Sequence, residues 1–243
     1  MLKVHSIETF GTHDGPGIRL VIFVQGCQFR CLYCHNPDTI PLTWWKLRSV
    51  DEIVKIVEKE KVYFGKDWWI TISGGECLLQ AKELIPLFQE LQKRWIHKAL
   101  DTNWFILNDD VKKLLKFTDL TIPDIKHMDS DFHRKLTWLP NEPVLKFIEY
   151  LEETWEKFRV RHVLVPWWTN DAKHLNKLWK YVSKFKNMER LEILPYNVLW
   201  LHKRKALGWK YELEGVEPPT DKELEKAKKI LSKYTDKLII RGI

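Results

Sequence analysis

The sequence predicts an α/β fold, a partial (β/α)6 barrel of the TIM-like kind. Short apolar runs alternate with longer amphipathic stretches along the chain, and this alternation is typical of parallel βαβ units. Six main units within 243 residues fit an incomplete barrel. Polar residues follow the apolar runs. Because the chemistry of such barrels lies at the carboxyl ends of the strands, the sequence predicts one site there.

The apolar runs are predicted to be strands and the amphipathic stretches between them helices. The strands, in chain order, are Leu20–Val24, Ile70–Ile72, Lys98–Leu100, Leu120–Ile122, Val160–Val165, Leu191–Leu194 and Lys237–Ile240. The helices are Ser49–Phe64, Ala81–Arg94, Asp109–Phe117, Val144–Thr154, Asp171–Phe185 and Asp221–Tyr234. Ser49 and Glu52 are spaced as a capping box, and Asn108 is predicted to cap the third helix.

The composition predicts a single folded domain spanning residues 1–243. Apolar residues make up 44% of the chain and charged residues 30%, which argues against disorder. No apolar run approaches the ~18 residues of a membrane-spanning helix, and the N-terminus has no signal-peptide profile. We therefore expect a cytoplasmic protein with no membrane contact. The net charge of +7 indicates a lysine-rich surface or a face for an acidic partner, and no nucleic-acid-binding motif accompanies it.

Three of the four cysteines are crowded into one predicted loop, at about residues 25–36. Cys27, Cys31 and Cys34 follow a Cys-x3-Cys-x2-Cys spacing, which indicates metal or cluster ligation rather than disulfides. A [4Fe-4S] cluster usually takes four cysteines, so three would leave one iron open to a substrate. The alternative is zinc with His35 as the fourth ligand, although His35 is adjacent to Cys34 and chelation by both would be strained. Cys77 is predicted to be a small buried apolar residue.

The residues around these cysteines resemble a known family. The segment Gly11–Arg19 (GTHDGPGIR), then Phe23, Gly26 and the cysteine run that ends in Cys34-His35-Asn36 is similar to the radical SAM family, and more narrowly to its activases of glycyl-radical enzymes. The resemblance extends from about His5 to Pro219. It implies a barrel of the radical SAM type in a single radical SAM domain.

The resemblance implies a [4Fe-4S] cluster whose open iron is chelated by the amino and carboxylate groups of S-adenosylmethionine. Reduction of the cluster would cleave the sulfonium C–S bond, and the 5′-deoxyadenosyl radical would take a Cα hydrogen from one glycine of a partner enzyme. The implied partner is pyruvate formate-lyase, with flavodoxin or ferredoxin as electron donor, and the implied state is a monomer in anaerobic metabolism. Activation of another glycyl-radical enzyme and an inactive cluster- or zinc-binding scaffold are the alternatives.

The resemblance also assigns roles to individual residues. The cofactor-binding residues that it implies are Tyr33, Cys34 and His35 at the nucleoside, Gly74, Gly75 and Glu76 at the methionine amino group, Asp101, Asp124, Ile125 and Lys126 near the methionine end, and Arg161 and Asn197. The catalytic residues that it implies are Cys27, Cys31, Cys34, Asp14 and Lys126.

Several of these roles are specific. Asp101 and Asp124 would share a monovalent cation, and Lys126 would offset the cofactor carboxylate. Asp14 would orient the glycine loop of the partner. Arg161 lies within a predicted strand, where a charge needs an inward partner. The plainer alternatives are a simple turn at the two glycines, a surface acid at Glu76, capping roles for the aspartates and a surface lysine.

Two features depart from the family. Asn197 stands where its best-known members carry histidine, and asparagine cannot become a cation. The chain also has 13 tryptophans and only 10 glycines. Where related activases have glycine, this chain has tryptophan at Trp44, Trp45, Trp68, Trp69, Trp95, Trp104, Trp138, Trp167 and Trp200, and we suspect the same of Trp155 and Trp179. The pattern favours a chain altered at glycine positions over a family member that simply favours tryptophan.

Overall fold

The structure is a computed structural model that describes residues 1–43, 45–64, 69–233 and 237–240. The chain divides into two compact units. The first comprises Met1–Gln28 and Asp38–Ile122, and the second Phe29–Pro37 and Pro123–Ile243. Both contain parallel strands and helices, which confirms the predicted α/β class. A single domain spanning the chain stays a prediction.

The first unit is built on a sheet of mixed direction. Its strands are β1 (Leu2–Gly11), β2 (Arg19–Val24), β3 (Lys46–Arg48), β4 (Trp69–Gly74), β5 (His97–Thr102) and all but the last residue of β6 (Leu120–Pro123), in the order β3-β1-β2-β4-β5-β6. Strand β1 is antiparallel to both β2 and β3, whereas β4 is parallel to β2 and to β5. The β2–β4–β5 part therefore aligns the carboxyl ends of three strands at one edge.

The helices of the first unit begin where the sequence predicts. They are α1 (Val50–Phe64), α2 (Ala81–Lys93) and α3 (Asp109–Leu115). Both bonds of the Ser49–Glu52 capping box are present, at 2.7 and 3.1 Å. The Asn108 side chain accepts a hydrogen bond from the N–H of Val111 at 2.9 Å. These contacts satisfy N–H groups that the first helical turn leaves unpaired.

The second unit has three parallel strands and five helices in the part that the structure describes. In chain order its elements are α4 (Ser130–Thr137), α5 (Glu142–Glu153), β7 (Phe158–Leu164), α6 (Ala172–Val182), β8 (Met188–Pro195), α7 (Leu201–Ala206), α8 (Asp221–Leu231) and β9 (Leu238–Ile240). The strands pair in the order β7-β8-β9. Helix α8 ends before Tyr234, and that end of the predicted helix lies outside the described residues.

The central strands form the cores of the two units. Strand β2 is buried along almost its whole length, and every residue of β7 is buried. Parallel strands covered on both faces show such continuous burial. Helix α2 presents a fully buried face formed by Leu84, Leu87, Phe88 and Leu91. The cores thus hold the strands whose carboxyl ends carry the predicted site residues.

The sequence did not reveal four elements, β1, β3, α4 and α7. Strand β1 alternates buried and more exposed residues, as an antiparallel strand with one covered face does. The sequence was interpreted there through the Gly11–Arg19 motif that follows it, and no strand was predicted. Strand β3 and helix α7 are short, with 3 and 6 residues. Within the described part of the chain, no helix is both long and apolar enough to cross a membrane.

Candidate cofactor site

The turn Gly74–Glu76 is hydrogen-bonded to the end of the neighbouring strand β2. The N–H of Gly75 donates to the Val24 carbonyl at 2.9 Å, and the N–H of Glu76 donates to the Gly26 carbonyl at 2.8 Å. Because Cys27 follows Gly26 directly, the turn is fixed beside the start of the cysteine loop. The sequence predicted that residues after β2 and β4 converge, and the parallel pairing of the two strands brings this about.

Two glycines are required in that turn by close backbone contacts. A Cβ atom on Gly74 would lie 2.6 Å from the Val24 nitrogen, and one on Gly75 would lie 2.3 Å from the Gly26 oxygen. Gly74 also has φ 102°, a backbone region that other residues rarely adopt. Glycine is therefore required at both positions, because the backbone at the end of β2 fills the space that a side chain would need.

Glu76 is fully buried and tied to its surroundings by hydrogen bonds. Its carboxylate accepts from the N–H groups of Leu78 at 2.9 Å and Asn103 at 2.7 Å, and from the Thr102 hydroxyl. Burial raises the pKa of Glu76 to about 7, although these hydrogen bonds oppose the shift. Glu76 thereby joins the turn after β4 to the end of β5, which excludes the alternative of a surface acid.

Asp101 and Asn103 lie at the end of β5 next to this turn. The Ser73 hydroxyl donates to the Asp101 carboxylate at 2.9 Å. The Asn103 side-chain Nδ2 donates to the sulfur of Cys27 at 3.6 Å. Sequence reasoning missed Asn103, because only the pairing of strands shows that it reaches a cysteine. Its position directly after Asp101 and Thr102 was the available signal.

Hydrogen bonds from Arg19 connect the loop that carries Asp14 to strand β4. The buried Arg19 guanidinium donates to the hydroxyl of Thr71 and to the carbonyls of Pro16 and Ile70, and the Thr71 hydroxyl donates to the Asp14 carbonyl at 2.6 Å. The backbone of this loop is therefore anchored to β4. The Asp14 side chain is partly exposed.

Cys31 and Cys34 belong to the second unit, where the loop forms a tight turn. The N–H of Cys34 donates to the Cys31 carbonyl at 3.2 Å, and Arg204 donates to the same carbonyl at 2.7 Å. Burial raises the pKa of the Cys31 thiol to about 12. Metal binding by this thiol therefore requires displacement of its proton.

Lys126 and Asp124 form a partly buried ion pair after β6. The Lys126 Nζ lies 2.8 Å from the Asp124 carboxylate, with side chains 12% and 19% exposed. Nζ also lies 5.6 Å from the centre of the Tyr33 ring. Burial lowers the pKa of Lys126, but the Asp124 charge and other nearby groups outweigh burial and hold this pKa well above its usual range. The ammonium is charged and does not lie on the open surface.

Arg161 has the inward partner that the sequence required. Its Nε lies 3.3 Å from the carboxylate of Glu192, which is directly opposite in the parallel register of β7 and β8. Arg161 also pairs with Asp124 through a backbone bridge, in which the Ile125 N–H donates to the Arg161 carbonyl at 2.9 Å. Asp124 and Arg161 are thus neighbours at the ends of their strands. Ile125 itself is buried.

Three histidines that sequence reasoning missed support this segment. His162 donates from Nδ1 to the Ile125 carbonyl at 2.7 Å, and its Nε2 lies 3.3 Å from Nε2 of His174. The ring of His127 stacks on His174 with centres 4.0 Å apart. Burial lowers the pKa of His162 to about 4. These rings are therefore neutral structural groups behind Asp124–Lys126.

Asn197 and His35 lie near Trp200. The Trp200 indole donates to the Asn197 carbonyl at 2.8 Å, and the His35 ring stacks on Trp200 with centres 5.9 Å apart. Asn197 is half-buried. Its amide oxygen accepts from the N–H of Leu199 at 3.2 Å.

Cys77 is fully buried, as predicted. Among the described residues, no three histidine, cysteine, aspartate or glutamate side chains converge on a position for one metal ion. That finding concerns single ions, whereas the cysteines of a cubane cluster each bind a different iron.

Five tryptophans adopt left-handed backbone conformations. They are Trp95, Trp104, Trp138, Trp155 and Trp167, with φ between 58° and 73°. Each was singled out from the sequence as a tryptophan at a glycine position, and a left-handed φ is what favours glycine. Trp45, Trp69, Trp179 and Trp200 have no positive φ, and Trp44 and Trp68 lie outside the described residues.

Residues 21–178 match the Radical SAM superfamily. The chain is 44% identical to the pyruvate formate-lyase-activating enzyme of Staphylococcus epidermidis (strain ATCC 12228 / FDA PCI 1200), over 93% of this chain and 94% of that protein. The identity and coverage are the same for the enzyme of that name from Staphylococcus aureus (strain USA300).

Solved structures agree with these relatives. A domain of a pyruvate-formate lyase-activating enzyme from Bacteroides vulgatus ATCC 8482 matches with a TM-score of 0.60 and 25% identity, over 71% of this chain and 98% of that domain. Streptococcus suis SuiB bound to the precursor peptide SuiA matches with a TM-score of 0.72 and 15% identity, over 98% of this chain and 50% of that protein. The SuiB match concerns the fold alone, and it confirms the predicted fold class.

Proposed function

Because this chain belongs to the radical SAM superfamily, and within it to the pyruvate formate-lyase-activating enzymes, we propose that it installs a glycyl radical in pyruvate formate-lyase. Membership in the superfamily implies a [4Fe-4S] cluster and S-adenosylmethionine. The geometric observation that supports the proposal best is the turn Gly74–Glu76, whose backbone is hydrogen-bonded to the end of β2 directly before Cys27. The turn lies at the start of the cysteine loop, where it would receive the methionine end of S-adenosylmethionine.

The residues present fit the cluster and its substrate. Cys27, Cys31 and Cys34 form no disulfide and would each bind one iron, which would leave the fourth iron for S-adenosylmethionine. When bound, the cluster would supply the electron, taken from an external donor, for reductive cleavage of S-adenosylmethionine, and this chemistry would remove one hydrogen atom from the partner glycine. Flavodoxin or ferredoxin is the proposed donor.

The chain's own residues orient the substrate. The backbone of Gly74 and Gly75 would receive the methionine amino group, with Glu76 holding the turn. Lys126 would pair with the methionine carboxylate, since its ammonium is charged and shielded from bulk water. Tyr33 and Cys34 would line the nucleoside together with His35.

The remaining predicted residues complete the site. Ile125, Arg161 and Asn197 would contact or orient the cofactor, and Asp101 and Asp124 would bind a monovalent cation. Asp14 would orient the partner's glycine loop from a backbone anchored on β4. We place the protein in the cytoplasm as a monomer, within a single radical SAM domain.

Anaerobic reconstitution with iron and sulfide tests the cluster. We expect visible absorption and reductive cleavage of S-adenosylmethionine in the unaltered protein. Cys27→Ala, Cys31→Ala and Cys34→Ala should each lose both, because one iron loses its thiolate. Cys77→Ala is the matched control, since we expect this buried cysteine not to be a ligand. A colourless zinc protein, or loss of the cluster in Cys77→Ala, would contradict the assignment.

The partner is tested separately. Reconstituted protein, a reductant and S-adenosylmethionine are mixed with pyruvate formate-lyase, and electron paramagnetic resonance detects the glycyl radical. A radical that depends on all components supports the proposal. Cleavage of S-adenosylmethionine without a radical in pyruvate formate-lyase, but with one in another glycyl-radical enzyme, would replace the partner and retain the chemistry.

A further inference from the structure

We propose that Asn103 raises the reduction potential of the cluster by donating an N–H···S hydrogen bond to Cys27. The inference rests on the proposed function, because it requires Cys27 to be a cluster ligand. Nδ2 of Asn103 lies 3.6 Å from the Cys27 sulfur, within the range of an N–H donor and a sulfur acceptor. Both residues belong to the first unit, and Asn103 is 7% exposed.

The orientation of the Asn103 amide is fixed by its other contacts. Oδ1 accepts from the backbone N–H of Phe105 at 3.3 Å and from Nε2 of Gln28 at 3.1 Å. A backbone N–H cannot reverse its role, so an amide rotated by half a turn would point a donor at a donor. Oδ1 therefore faces Phe105, and the NH2 group faces the sulfur.

The backbone of Asn103 is fixed as well. Its N–H donates to the buried Glu76 carboxylate at 2.7 Å, and that carboxylate also accepts from Thr102 and Leu78. Glu76 thus holds Asn103 at the end of β5 while its own turn is held at the end of β2. The position of the donor is therefore set by contacts within the chain.

A hydrogen bond to a ligand sulfur stabilises the reduced state more than the oxidised state, because the reduced cluster carries one more negative charge. Hydrogen bonds to the sulfurs are among the factors that set cluster potentials. Asn103 is therefore a tuning residue, and loss of its N–H should make the cluster harder to reduce.

The test is a redox titration of reconstituted protein without S-adenosylmethionine, followed by electron paramagnetic resonance. We expect a more negative midpoint potential in Asn103→Ala. A still more negative value is expected in Asn103→Asp, whose carboxylate only accepts. Asn141→Ala is the matched control, because Asn141 is a buried asparagine that donates to the His127 carbonyl at 3.1 Å and should leave the potential unchanged. An unchanged potential in Asn103→Ala would overturn the inference.

Two further outcomes are also decisive. If the Asn103 variants named above assemble no cluster, Asn103→Ser replaces them, since serine keeps a small polar side chain that is too short to donate to the Cys27 sulfur. A more negative potential then supports the inference, and no shift overturns it. Failure of the unaltered protein to assemble a cluster would instead overturn the proposed function, so the two failures are distinguishable.

We also infer, from a different observation, that the cell that makes this protein places glycine at the five left-handed tryptophan positions. Every described non-glycine residue with positive φ is a tryptophan, although only 13 of 243 residues are tryptophan. Asparagine and aspartate are the usual non-glycine residues in this conformation, and bulky residues there are outliers. In an ordinary sequence, five non-glycine residues with positive φ would not all be the same rare and bulky residue.

A single decoding difference accounts for this pattern. The codon UGA is a stop in the standard genetic code, but some codes read it as tryptophan and others as glycine. Translation of UGA as tryptophan, in a gene whose cell reads it as glycine, would convert only those glycines and leave the glycines of GGN codons unchanged. It would account for both the excess of tryptophan and the shortage of glycine.

The gene and the native protein test this inference. We expect UGA at codons 95, 104, 138, 155 and 167, and UGG at the control positions Trp168 and Trp209, which have no positive φ. Peptide mass spectrometry of protein from its own cells should show glycine at the five positions. UGG at all five codons, or tryptophan in the native peptides, would overturn the inference.

Discussion

Helices α2, α5 and α7 end in the same hydrogen-bonded motif but carry different residues at its left-handed position. In α7 that residue is Gly208, with φ 67°, whereas in α2 and α5 it is Trp95 at φ 59° and Trp155 at φ 58°. Two backbone hydrogen bonds close each helix end, and in each the N–H of the first residue named donates to the carbonyl of the second. They are Gly208 to Lys205 and Trp209 to Arg204 in α7, Trp95 to Gln92 and Ile96 to Leu91 in α2, and Trp155 to Glu152 and Glu156 to Leu151 in α5. This is the Schellman motif, in which glycine is the usual residue.

These three helix ends separate two contributions to stability at a left-handed position, the strain in the backbone and the contacts of the side chain. A Cβ on Gly208 would meet no atom within 4 Å, and the side chains of Trp95 and Trp155 are 95% and 73% exposed. None of the three sites therefore clashes, and little apolar surface is buried. What remains is the strain of a non-glycine residue in the left-handed region, about 1–2 kcal/mol per residue.

The turn after β4 shows the opposite limit. Gly74 also has a positive φ, but a Cβ there would lie 2.6 Å from a backbone nitrogen that cannot move aside. A larger residue would have to break the pairing of β2 with β4. Tryptophan is therefore sterically possible at exposed helix ends and impossible at the site, although both backbones favour glycine.

The largest effect is expected when the four exposed left-handed tryptophans are replaced together. Trp95, Trp138, Trp155 and Trp167 are 68–95% exposed, so their replacement by glycine loses little burial. Relief of about 1–2 kcal/mol at each site sums to about 4–8 kcal/mol, against the ~5–15 kcal/mol that holds a typical domain folded. Thermal denaturation should show a rise of about 2–4 °C per kcal/mol. An unchanged Tm would show that left-handed strain is not the governing cost.

The single variants Trp95→Gly and Trp155→Gly sharpen the comparison between helix ends. Each should raise the free energy of unfolding by about 1–2 kcal/mol, measured by urea denaturation. We expect the two gains to add in the double variant, as the effects of independent sites do. Trp95→Asn should recover part of the gain, because asparagine tolerates this conformation better. A gain at one helix end and none at the other would break the equivalence of the two motifs.

The reverse change at α7 has a smaller expected effect. Gly208→Ala adds only a Cβ in open space and should lower the free energy of unfolding by about 1 kcal/mol. The loss should lie at the lower end of the range, since α7 has 6 residues and its last turn can unwind locally. Urea denaturation measures it, and equal stability would indicate that this end is already frayed.

The sequence could predict which polar residues follow each strand, because apolar runs and the polar residues after them are local patterns. The turn Gly74–Glu76 and the carboxylate of Asp101 were found in this way, and so was the need of Arg161 for a partner. The identity of that partner, Glu192, could not be found. It depends on the register of β7 against β8, which the sequence of neither strand specifies alone.

Asn103 and the histidines behind Ile125 were missed for a related reason. Asn103 functions through Cys27, 76 positions away in sequence, and His162 reaches Ile125 across 37 positions. Neither contact leaves a local pattern. Strand β1 was missed because its alternating polarity is weaker than the motif that follows it, and its pairing with β2 became evident only in the sheet.

The last prediction concerns Trp45, where replacement by glycine should destabilise the protein, whereas replacement of Trp95 or Trp155 should stabilise it. This contrast restricts the gain in stability to left-handed positions. Trp45 was singled out from the sequence together with the others, but its φ is not positive. Its ring lies 5.1 Å from the ammonium of Lys3, and a cation–π contact at an exposed site contributes about 0.5–1 kcal/mol. Trp45→Gly relieves no left-handed strain, loses this contact and the burial of a side chain that is 37% exposed, and adds backbone freedom to the unfolded chain, so it should lower the free energy of unfolding. Lys3→Met serves as the control, because it removes the cation and keeps the tryptophan. A stabilisation in Trp45→Gly as large as that in Trp95→Gly would show that tryptophan is costly in this chain for a reason other than backbone conformation.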